Sequence, residues 1–480
     1  MTHVIAPPIR RSRTLSGGWV IALAASIAVL AIGIPGALVF TVEDVGRSQG
    51  WIITWLIGVW SGIRLSVRWV RGVPRLFDFF FWVFTYIFIG IAATASIRAG
   101  EVPWTTSGID PALDIPAALI ALTGVVAYEV GAFIRWASAR QRSMSDLSTV
   151  GISVGRAWVL YLVGTAAVAY YVGKMGLSAI FSSRTTSAMA QVNNWNDSST
   201  LAIVYAAAIY PLLVAVGAFV QHWRSLKPGE SGRVGYAVVI IGGFLGLMLV
   251  ANPLSSARYT AGTVAFALVM FLGAAATPMR ARLTMLGTIV AFLFLFPVLN
   301  IFRNEGTQLT ERQGFFSEYI ANPDYDAFFQ IANAYSYMVD GLIEPGRQIL
   351  GSLLFWVPRS MWPGKPEDTA IVLADYRGYK FTNISAPLWA ELLVNGGVLA
   401  VVLGFILIGV ALRRLDDRLV PAYAQTGWWG VAGSILPVYS LILWRGSLLQ
   451  ATGALAVMLA GLFWIRKKSP RDTGPPDFGR

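Results

Sequence analysis

The sequence contains no cysteine and only two histidines among its 480 residues. The absence of cysteine excludes disulfides, thiolate metal sites and cysteine nucleophiles. Charged residues are also scarce, at 13%, whereas 56% of the residues are hydrophobic and the mean hydropathy is +0.61. A water-soluble globular protein needs more charge and less apolar surface than this. The composition therefore indicates a multi-pass membrane protein.

Nucleotide-binding motifs are also missing. The chain has neither a Walker A motif nor a GxGxxG motif ahead of a soluble helix, so nothing indicates a nucleotide-driven pump. The formal net charge of +12 is typical of nucleic-acid-binding proteins. Here, however, the basic residues fall between apolar segments, where they orient membrane helices. We therefore expect no nucleic-acid partner.

Apolar runs of about 20 residues, each long enough to cross a bilayer as a helix, recur along the chain. They predict an all-α polytopic membrane protein with about twelve transmembrane helices. The predicted spans lie near residues 18–40, 50–66, 77–97, 113–134, 153–173, 199–221, 235–251, 259–276, 283–300, 386–411, 421–442 and 447–465.

One long interval, between predicted helices 9 and 10, is not a membrane span. The chain is therefore divided into a bundle of about nine transmembrane helices, a large loop with amphipathic helices, the transmembrane helices 10–12 and a disordered tail. These parts cover residues 1–300, 301–385, 386–465 and 466–480. The large loop is too rich in aromatic and aliphatic residues to be disordered.

Arginine and lysine are concentrated in every second interval between the spans, beginning with the N-terminus. Because cytoplasmic segments retain basic residues, both termini are predicted to lie in the cytoplasm and the 301–385 loop to lie outside. His3 and His222 then fall on the cytoplasmic side. This excludes an external catalytic histidine and a histidine-based metal site.

The loop itself contains helix signals. The sequence Asn322-Pro-Asp324 is typical of a helix start, and apolar residues then recur on one helical face from Phe328 to Val339. A second apolar stretch spans 349–357, and a short helix is predicted to follow Pro366-Glu-Asp368 as far as Tyr376. Such pieces either lie on the bilayer or cap the bundle.

Several cationic residues are predicted at the external surface. Arginine suits a diphosphate because its planar guanidinium offers five donors and never loses its charge. The candidates for a diphosphate pocket at the bilayer edge are Arg258, Arg303, Arg359, Arg377 and Arg445, with Lys365 beside them. Any one of these arginines alone also suits an interfacial residue that extends to lipid headgroups.

Among the acidic residues, Glu391 is the candidate catalytic group. It lies about five residues inside the tenth predicted span, and a carboxylate at that depth is costly unless it faces the bundle interior or water. Asn395, four residues later, lies on the same helical face. The alternative is that Glu391 pairs with an arginine to hold the bundle together. Other candidates for a general base are Glu305, Asp324, Asp326 and Asp375.

At these residues the chain resembles the Wzy-type O-antigen and capsular polysaccharide polymerases, which are oligosaccharide repeat unit polymerases. Residues 353–366 (LLFWVPRSMWPGKP) resemble the family's loop segment, in which an apolar run leads into Pro-Arg and then Trp-Pro-x-Lys-Pro. The pattern Glu391-x-x-x-Asn395-x-Gly397 resembles the Glu-x-x-x-Asn-x-Gly pattern after that loop. The turn around Arg258 resembles another arginine position less specifically. The layout, with one large external loop late in the chain, is also similar.

The resemblance implies glycosyl transfer at the outer face of a bacterial cytoplasmic membrane. A glycan on polyprenyl diphosphate is the donor, and a hydroxyl of a second lipid-linked repeat unit is the acceptor. It also implies that no metal, nucleotide sugar or other cofactor is used, that arginines stabilise the diphosphate charge, and that Glu391 accepts or orients the hydroxyl proton. The implied partners are membrane lipid, a flippase and a chain-length regulator. The external histidine of O-antigen ligases has no counterpart here.

Three alternatives stay open. An O-antigen-ligase-like glycan transferase would use the same donor and leaving group. A glycosyltransferase that uses a polyprenyl monophosphate sugar would need an acidic pair in its first external loop, where Glu43-Asp44 does lie, although that loop is short. A lipid-linked sugar transporter or flippase would suit about twelve spans, but transporters favour paired halves and broken helices near the midplane.

Overall fold

The structure is a computed structural model that describes residues 17–139, 150–195, 198–297 and 314–467. Within these residues there are 17 helices and one pair of two-residue strands. The helices before the large loop are α1 Gly17–Thr41, α2 Gly50–Arg71, α3 Leu76–Arg98, α4 Asp114–Ala139, α5 Val154–Met175, α6 Leu177–Ile180, α7 Arg184–Asn194, α8 Ser198–Ser225, α9 Arg233–Val250, α10 Arg258–Phe271 and α11 Pro278–Leu295. The later helices are α12 Ala327–Val339, α13 Arg347–Leu353, α14 Thr369–Arg377, α15 Leu388–Ala422, α16 Trp428–Arg445 and α17 Leu448–Ile465.

Each predicted span overlaps a helix, although the bounds differ by several residues and residues 298–300 lie outside the described part of the chain. In the described part of the chain, 9 helices are long and apolar enough to cross a membrane. Helices α5 and α16 match predicted spans too, but their tyrosines, tryptophans and glycines lower their hydropathy, and α10 has only 14 residues. The prediction of an all-α polytopic membrane protein is confirmed.

The helices pack around two hydrophobic cores. The first core contains residues of α1 to α4, α11, α12, α14 and α15, and the second contains residues of α5, α6, α8, α9 and α17, while α10 and α16 contribute to both. Helix α3 is enclosed on every side, because 100% of its apolar stretch is buried inside the protein. Its Phe81 ring stacks on Tyr128 of α4 with the centroids 3.7 Å apart. A helix that is apolar all round and fully buried marks the centre of a bundle.

Residues 314–385, which we call the connecting segment, cover one end of the bundle. The Tyr319 hydroxyl donates to the carbonyl oxygen of Leu293 at 2.9 Å, and the Ser96 hydroxyl donates to the carbonyl oxygen of Tyr319 at 3.3 Å. These contacts join the segment to the last turns of α11 and α3. We call this end of the bundle the segment end. The predicted helices of the segment are present as α12, α13 and α14.

The start of α3 lies at the end of the bundle opposite the segment end, and charged residues hold it there. Asp416 of α15 is fully buried, and its carboxylate accepts hydrogen bonds from the backbone N–H groups of Phe77 and Asp78 at 3.1 and 3.0 Å. It therefore satisfies N–H groups that the first turn of α3 leaves unpaired. Asp78 in turn forms an ion pair with Arg68 of α2.

Two short strands also lie at the opposite end. Strand β1, Gly151–Ile152, pairs antiparallel with strand β2, Arg466–Lys467. Residues 466–467 were predicted to begin the disordered tail, but their backbone is instead ordered by this pairing with the chain ahead of α5. The rest of the predicted tail, residues 468–480, lies outside the described residues. The side of the membrane on which the termini lie stays a prediction.

Helices α4 and α15 pack with their backbones in contact. A β-carbon added at Gly131 would overlap the carbonyl oxygen of Ile406, and one added at Gly409 would overlap the carbonyl oxygen of Tyr128. Small residues at such a crossing let two membrane helices approach closely.

We therefore expect Gly131→Ala to lower the thermal unfolding temperature of the protein in detergent. A methyl group that meets backbone atoms forces the helices apart, and overpacking of this kind costs about 1–3 kcal/mol. The control is Gly262→Ala in α10, where a β-carbon meets no atom within 4 Å and helix propensity favours alanine. Equal unfolding temperatures for the two variants would contradict the close packing.

Candidate functional site

Glu391 joins the starts of three helices. It lies in the first turn of α15 and is 1% exposed. Its Oε1 accepts a hydrogen bond from the backbone N–H of Leu448 at 2.7 Å, and its Oε2 accepts one from the hydroxyl of Thr369 at 2.7 Å. Leu448 begins α17 and Thr369 begins α14. The carboxylate therefore lies where three helix N-termini meet, and their partial positive charge stabilises it.

A second carboxylate supports the same junction. Asp368 caps α14 by accepting the N–H of Ala370 at 2.8 Å, and its other oxygen accepts the hydroxyl of Ser447. Ser447 is itself the N-cap of α17 and accepts from the N–H of Gln450 at 3.4 Å. Burial raises the pKa of Asp368, and these hydrogen bonds oppose that rise. The segment is thereby fastened to the start of α17 as well as to α15.

Helix α15 breaks shortly after Glu391. Gly396 and Gly397 have non-helical backbone angles, and the φ of +66° at Gly397 favours glycine. A break leaves carbonyl groups of the preceding turn without their helical partners. The carbonyl oxygen of Asn395 is satisfied instead by the N–H of Gly346 at 2.9 Å. The break is therefore completed by the connecting segment.

The side chain of Asn395 makes two further bonds. Its Oδ1 accepts the N–H of Ile349 at 3.0 Å, and its Nδ2 donates to the carbonyl oxygen of Glu391 at 2.8 Å. The second bond confirms that the two residues lie on one helical face. In the structure, the Glu-x-x-x-Asn-x-Gly pattern therefore holds α13 and α14 against α15.

Two of the predicted diphosphate-binding arginines meet at one aspartate. The Nη1 of Arg258, at the start of α10, lies 3.1 Å from Oδ2 of Asp324. The Nη2 of Arg445, at the end of α16, lies 3.8 Å from Oδ1 of the same residue, and its Nε donates to the Asp324 carbonyl oxygen at 3.0 Å. Arg258 also lies over the ring of Phe296, 4.7 Å from its centroid. The side chains of Asp324 and Arg445 are 30% and 26% exposed, whereas that of Arg258 is 6% exposed, so the group reaches the surface of the segment end through Asp324 and Arg445.

A second aspartate, Asp326, lies deeper in the protein beside Arg445. Its carboxylate is fully buried, with Oδ1 3.8 Å from Nη2 of Arg445 and Oδ2 accepting the N–H of Ser385 at 3.0 Å. Burial raises the pKa of Asp326, and the positive charge of Arg445 opposes the rise. The last turn before α15 is therefore tied to the turn before α12.

Arg377 is linked to the same group through two amides. Gln330 lies 3.5 Å from Oδ2 of Asp326, Asn333 donates to Gln330 at 2.9 Å, and Nε of Arg377 donates to Oδ1 of Asn333 at 2.8 Å. We call the set formed by Arg258, Arg377, Arg445, Asp324 and Asp326 the arginine–aspartate cluster. Its guanidinium groups outnumber its carboxylates.

Arg359 and Lys365 form a separate group within the loop that follows α13. Nη1 of Arg359 donates to the carbonyl oxygen of Lys365 at 2.9 Å, and Nζ of Lys365 donates to the carbonyl oxygens of Phe355 and Val357 at 2.6 and 2.9 Å. Burial and the neighbouring Arg359 lower the pKa of Lys365. These cations close the Pro-Arg and Trp-Pro-Gly-Lys-Pro loop on itself. Arg303 lies outside the described residues.

Sequence reasoning missed the partners of Glu391. The signals for them are local: Asp368 follows a proline and precedes α14, and Ser447-x-x-Gln450 is a capping pattern at the start of α17. Such signals predict where the helices begin. They do not predict that Glu391 lies between those two starts, because that contact depends on the packing of the bundle.

No protein-family model, curated protein or solved structure matches the chain. The resemblance to repeat unit polymerases therefore stays a prediction from the motifs. Within the described ranges, no group of three or more histidine, aspartate and glutamate side chains is placed to hold a metal ion.

We expect Asn395→Ala to speed amide hydrogen exchange in residues 346–353. The substitution leaves the N–H of Ile349 without its acceptor, and losing a buried hydrogen bond costs about 1–3 kcal/mol, so exchange should rise roughly tenfold. Mass spectrometry of peptic peptides measures this directly. Asn193→Ala, at an exposed position of α7, is the control. Unchanged protection of 346–353 would show that Asn395 does not hold α13.

Asp326 also predicts a pH dependence. Because its pKa is higher in the folded protein than its ordinary value, the folded state binds the proton more tightly than the unfolded state. Ionisation of Asp326 therefore lowers the stability of the folded protein as the pH rises from about 4 through the folded-state pKa. We expect the thermal unfolding temperature of Asp326→Asn, measured in detergent, to fall less than that of the wild type as the pH rises over this range. The control is Asp375→Asn, at an exposed position, whose unfolding temperature should change with pH as that of the wild type does. The same pH dependence in Asp326→Asn and the wild type would contradict the interpretation.

Proposed function

We propose that this protein is a membrane glycosyltransferase that polymerises polyprenyl-diphosphate-linked oligosaccharide repeat units. The observation that supports the proposal is the arginine–aspartate cluster. Arginines from α10, α14 and α16, which are far apart in sequence, converge at the segment end of the bundle. A lipid-linked diphosphate needs cationic donors at this level, because its lipid lies in the bilayer and its glycan in water.

In the proposed reaction, a hydroxyl of one lipid-linked repeat unit attacks the anomeric carbon of the glycan on another. The bond from that carbon to the diphosphate oxygen breaks, the hydroxyl proton leaves to a base, and lipid diphosphate departs. In this proposal, Arg258 and Arg445 stabilise the negative charge that grows on the departing diphosphate. Asp324 holds both guanidinium groups in position before the diphosphate binds.

The carboxylates divide into two roles in this proposal. Both oxygens of Glu391 accept hydrogen bonds from the protein, and the residue is 1% exposed. We therefore assign Glu391 as a positioning residue that holds the connecting segment. The side chain of Asp324 is 30% exposed beside the two arginines, and it is the better placed group to orient or accept the hydroxyl proton.

The break in α15 bears on the transporter alternative. Broken helices in transporters bind substrate near the middle of the bilayer. Here the break at Gly396–Gly397 comes only eight residues after the start of α15 at Leu388, about 12 Å along a helix that rises 1.5 Å per residue. The break is completed by the N–H of Gly346 in the connecting segment, and this contact is the reason why we favour a site at the segment end.

The test is reconstitution of the purified protein with a lipid-linked oligosaccharide repeat unit, without nucleotide sugar or added metal. A polymerase gives products that form a ladder stepping by whole repeat units on a gel. A ligase leaves the repeat unit unextended until a different acceptor is supplied. Transbilayer movement of an authentic substrate without any ladder would replace the proposal with a transporter.

In the same assay, we expect Arg258→Ala and Arg445→Ala each to reduce ladder formation roughly 10- to 100-fold. A hydrogen bond to a charged group contributes about 1.5–3 kcal/mol, which corresponds to that range. Arg184→Ala, at the start of α7, is the matched control and should retain wild-type activity.

A double variant separates a binding role from a structural one. In Arg258→Ala, the carboxylate of Asp324 loses its nearer arginine, and Asp324→Asn in the same chain removes the negative charge that Arg258 balanced. The reference is Asp324→Asn alone, because Asp324 is also the proposed proton acceptor. If Arg258 only balances Asp324, the double variant forms as much polymer as Asp324→Asn alone. If Arg258 stabilises the diphosphate, the double variant forms less polymer than Asp324→Asn alone, although its thermal stability recovers.

A further inference from the structure

We call residues Arg347 to Lys365 of the connecting segment the wedge. Its large apolar side chains face outward, which is the reverse of what is expected for an element that faces water. Beyond the exposed Arg347 at its start, helix α13 buries its uncharged polar residues Gln348 and Ser352, which are 9% and 5% exposed. Its leucines face outward instead, with Leu350 48% and Leu353 66% exposed. In water, a surface helix turns its apolar face inward.

The loop after α13 extends this apolar surface. Trp356 is 67% exposed and Met361 is 78% exposed. Lys365 donates to the carbonyl oxygens of Phe355 and Val357, and these bonds fix the backbone on both sides of Trp356. Four large apolar side chains on one short element make a patch that a water-facing surface of a monomer rarely carries.

Contacts with the spanning helices fix the depth of the wedge. The N–H groups of Gly346 and Ile349 bond to Asn395, which is seven residues below the start of α15, or about 10 Å at 1.5 Å per residue. The ring of Phe355 lies 3.8 Å from a β-carbon built at Gly453, five residues below the start of α17. The wedge therefore lies beside the ends of spanning helices rather than above them.

We propose that the wedge inserts into the bilayer at the segment end, with Leu350, Leu353, Trp356 and Met361 in contact with lipid. The depth of the wedge favours lipid over another protein, because the lateral surroundings of a spanning helix are acyl chains and headgroups. Arg359, which is exposed on the same loop, then lies at headgroup level, as arginine and tryptophan do at membrane interfaces. This proposal does not depend on the proposed enzymatic function.

The absence of cysteine makes the test direct, because a single introduced thiol can be labelled alone. Met361→Cys and Trp356→Cys are labelled with an environment-sensitive fluorophore, and each protein is reconstituted into phosphatidylcholine and phosphatidylglycerol vesicles. Asp110→Cys, at an exposed charged position between α3 and α4, is the control. Quenching is then compared for a phospholipid brominated on its acyl chains and for aqueous iodide.

If the wedge is inserted, both wedge labels show blue-shifted emission and are quenched several-fold more by the brominated lipid than the control, while iodide quenches mainly the control. Strong iodide quenching at Met361 and Trp356, equal to that at Asp110, would overturn the proposal, because the wedge would then face water. Protection from both quenchers, with thiol crosslinks between copies, would also overturn it and would show a protein contact instead.

Discussion

The structure depends on a rule of membrane proteins, that backbone N–H and C=O groups within hydrocarbon must find partners inside the protein. Helix α15 departs from regular geometry at Gly396–Gly397, and its freed carbonyl at Asn395 is bonded by the N–H of Gly346. The connecting segment therefore belongs to the folded bundle and is not an appended domain. Because its N–H groups complete α15, the segment and the tenth predicted span stabilise each other.

Buried carboxylates act in the same way at both ends of the bundle. Asp416 bonds to the first N–H groups of α3, and Glu391 bonds to the first N–H of α17. An anion at a helix N-terminus satisfies unpaired donors and interacts favourably with the helix dipole. A charged residue inside a membrane span can thus be structural. What distinguishes Asp324 is its partial exposure beside two arginines.

The sequence predicted those features that have local signals. Hydropathy placed each of the 9 described helices that are long and apolar enough to cross a membrane, and the proline and aspartate residues before α12 and α14 marked their starts. It also singled out Arg258 and Arg445, since arginines at external turns are uncommon. The meeting of these residues at Asp324 has no local signal, because it depends on how α10, α16 and the connecting segment pack.

The sequence also did not predict that the leucine face of α13 points away from the bundle. Periodicity separates a leucine face from a polar face but does not tell which face meets the bundle. The environment decides this, and near a bilayer the usual rule of apolar side inward no longer holds. The same reasoning explains why Glu391 and Asn395 could be placed on one face but their partners could not be named.

The complete enclosure of α3 has a consequence for how the protein is made. A helix inserted early in synthesis first meets lipid, yet the mature α3 has no lipid-facing side. Its rings pack against Trp389 and Trp444, and its first turn is bonded to Asp416, all of which belong to α15 and α16. The centre of the bundle therefore stays open until the last helices are synthesised. We therefore expect membrane insertion of α3 and its final packing to be separate stages for this chain.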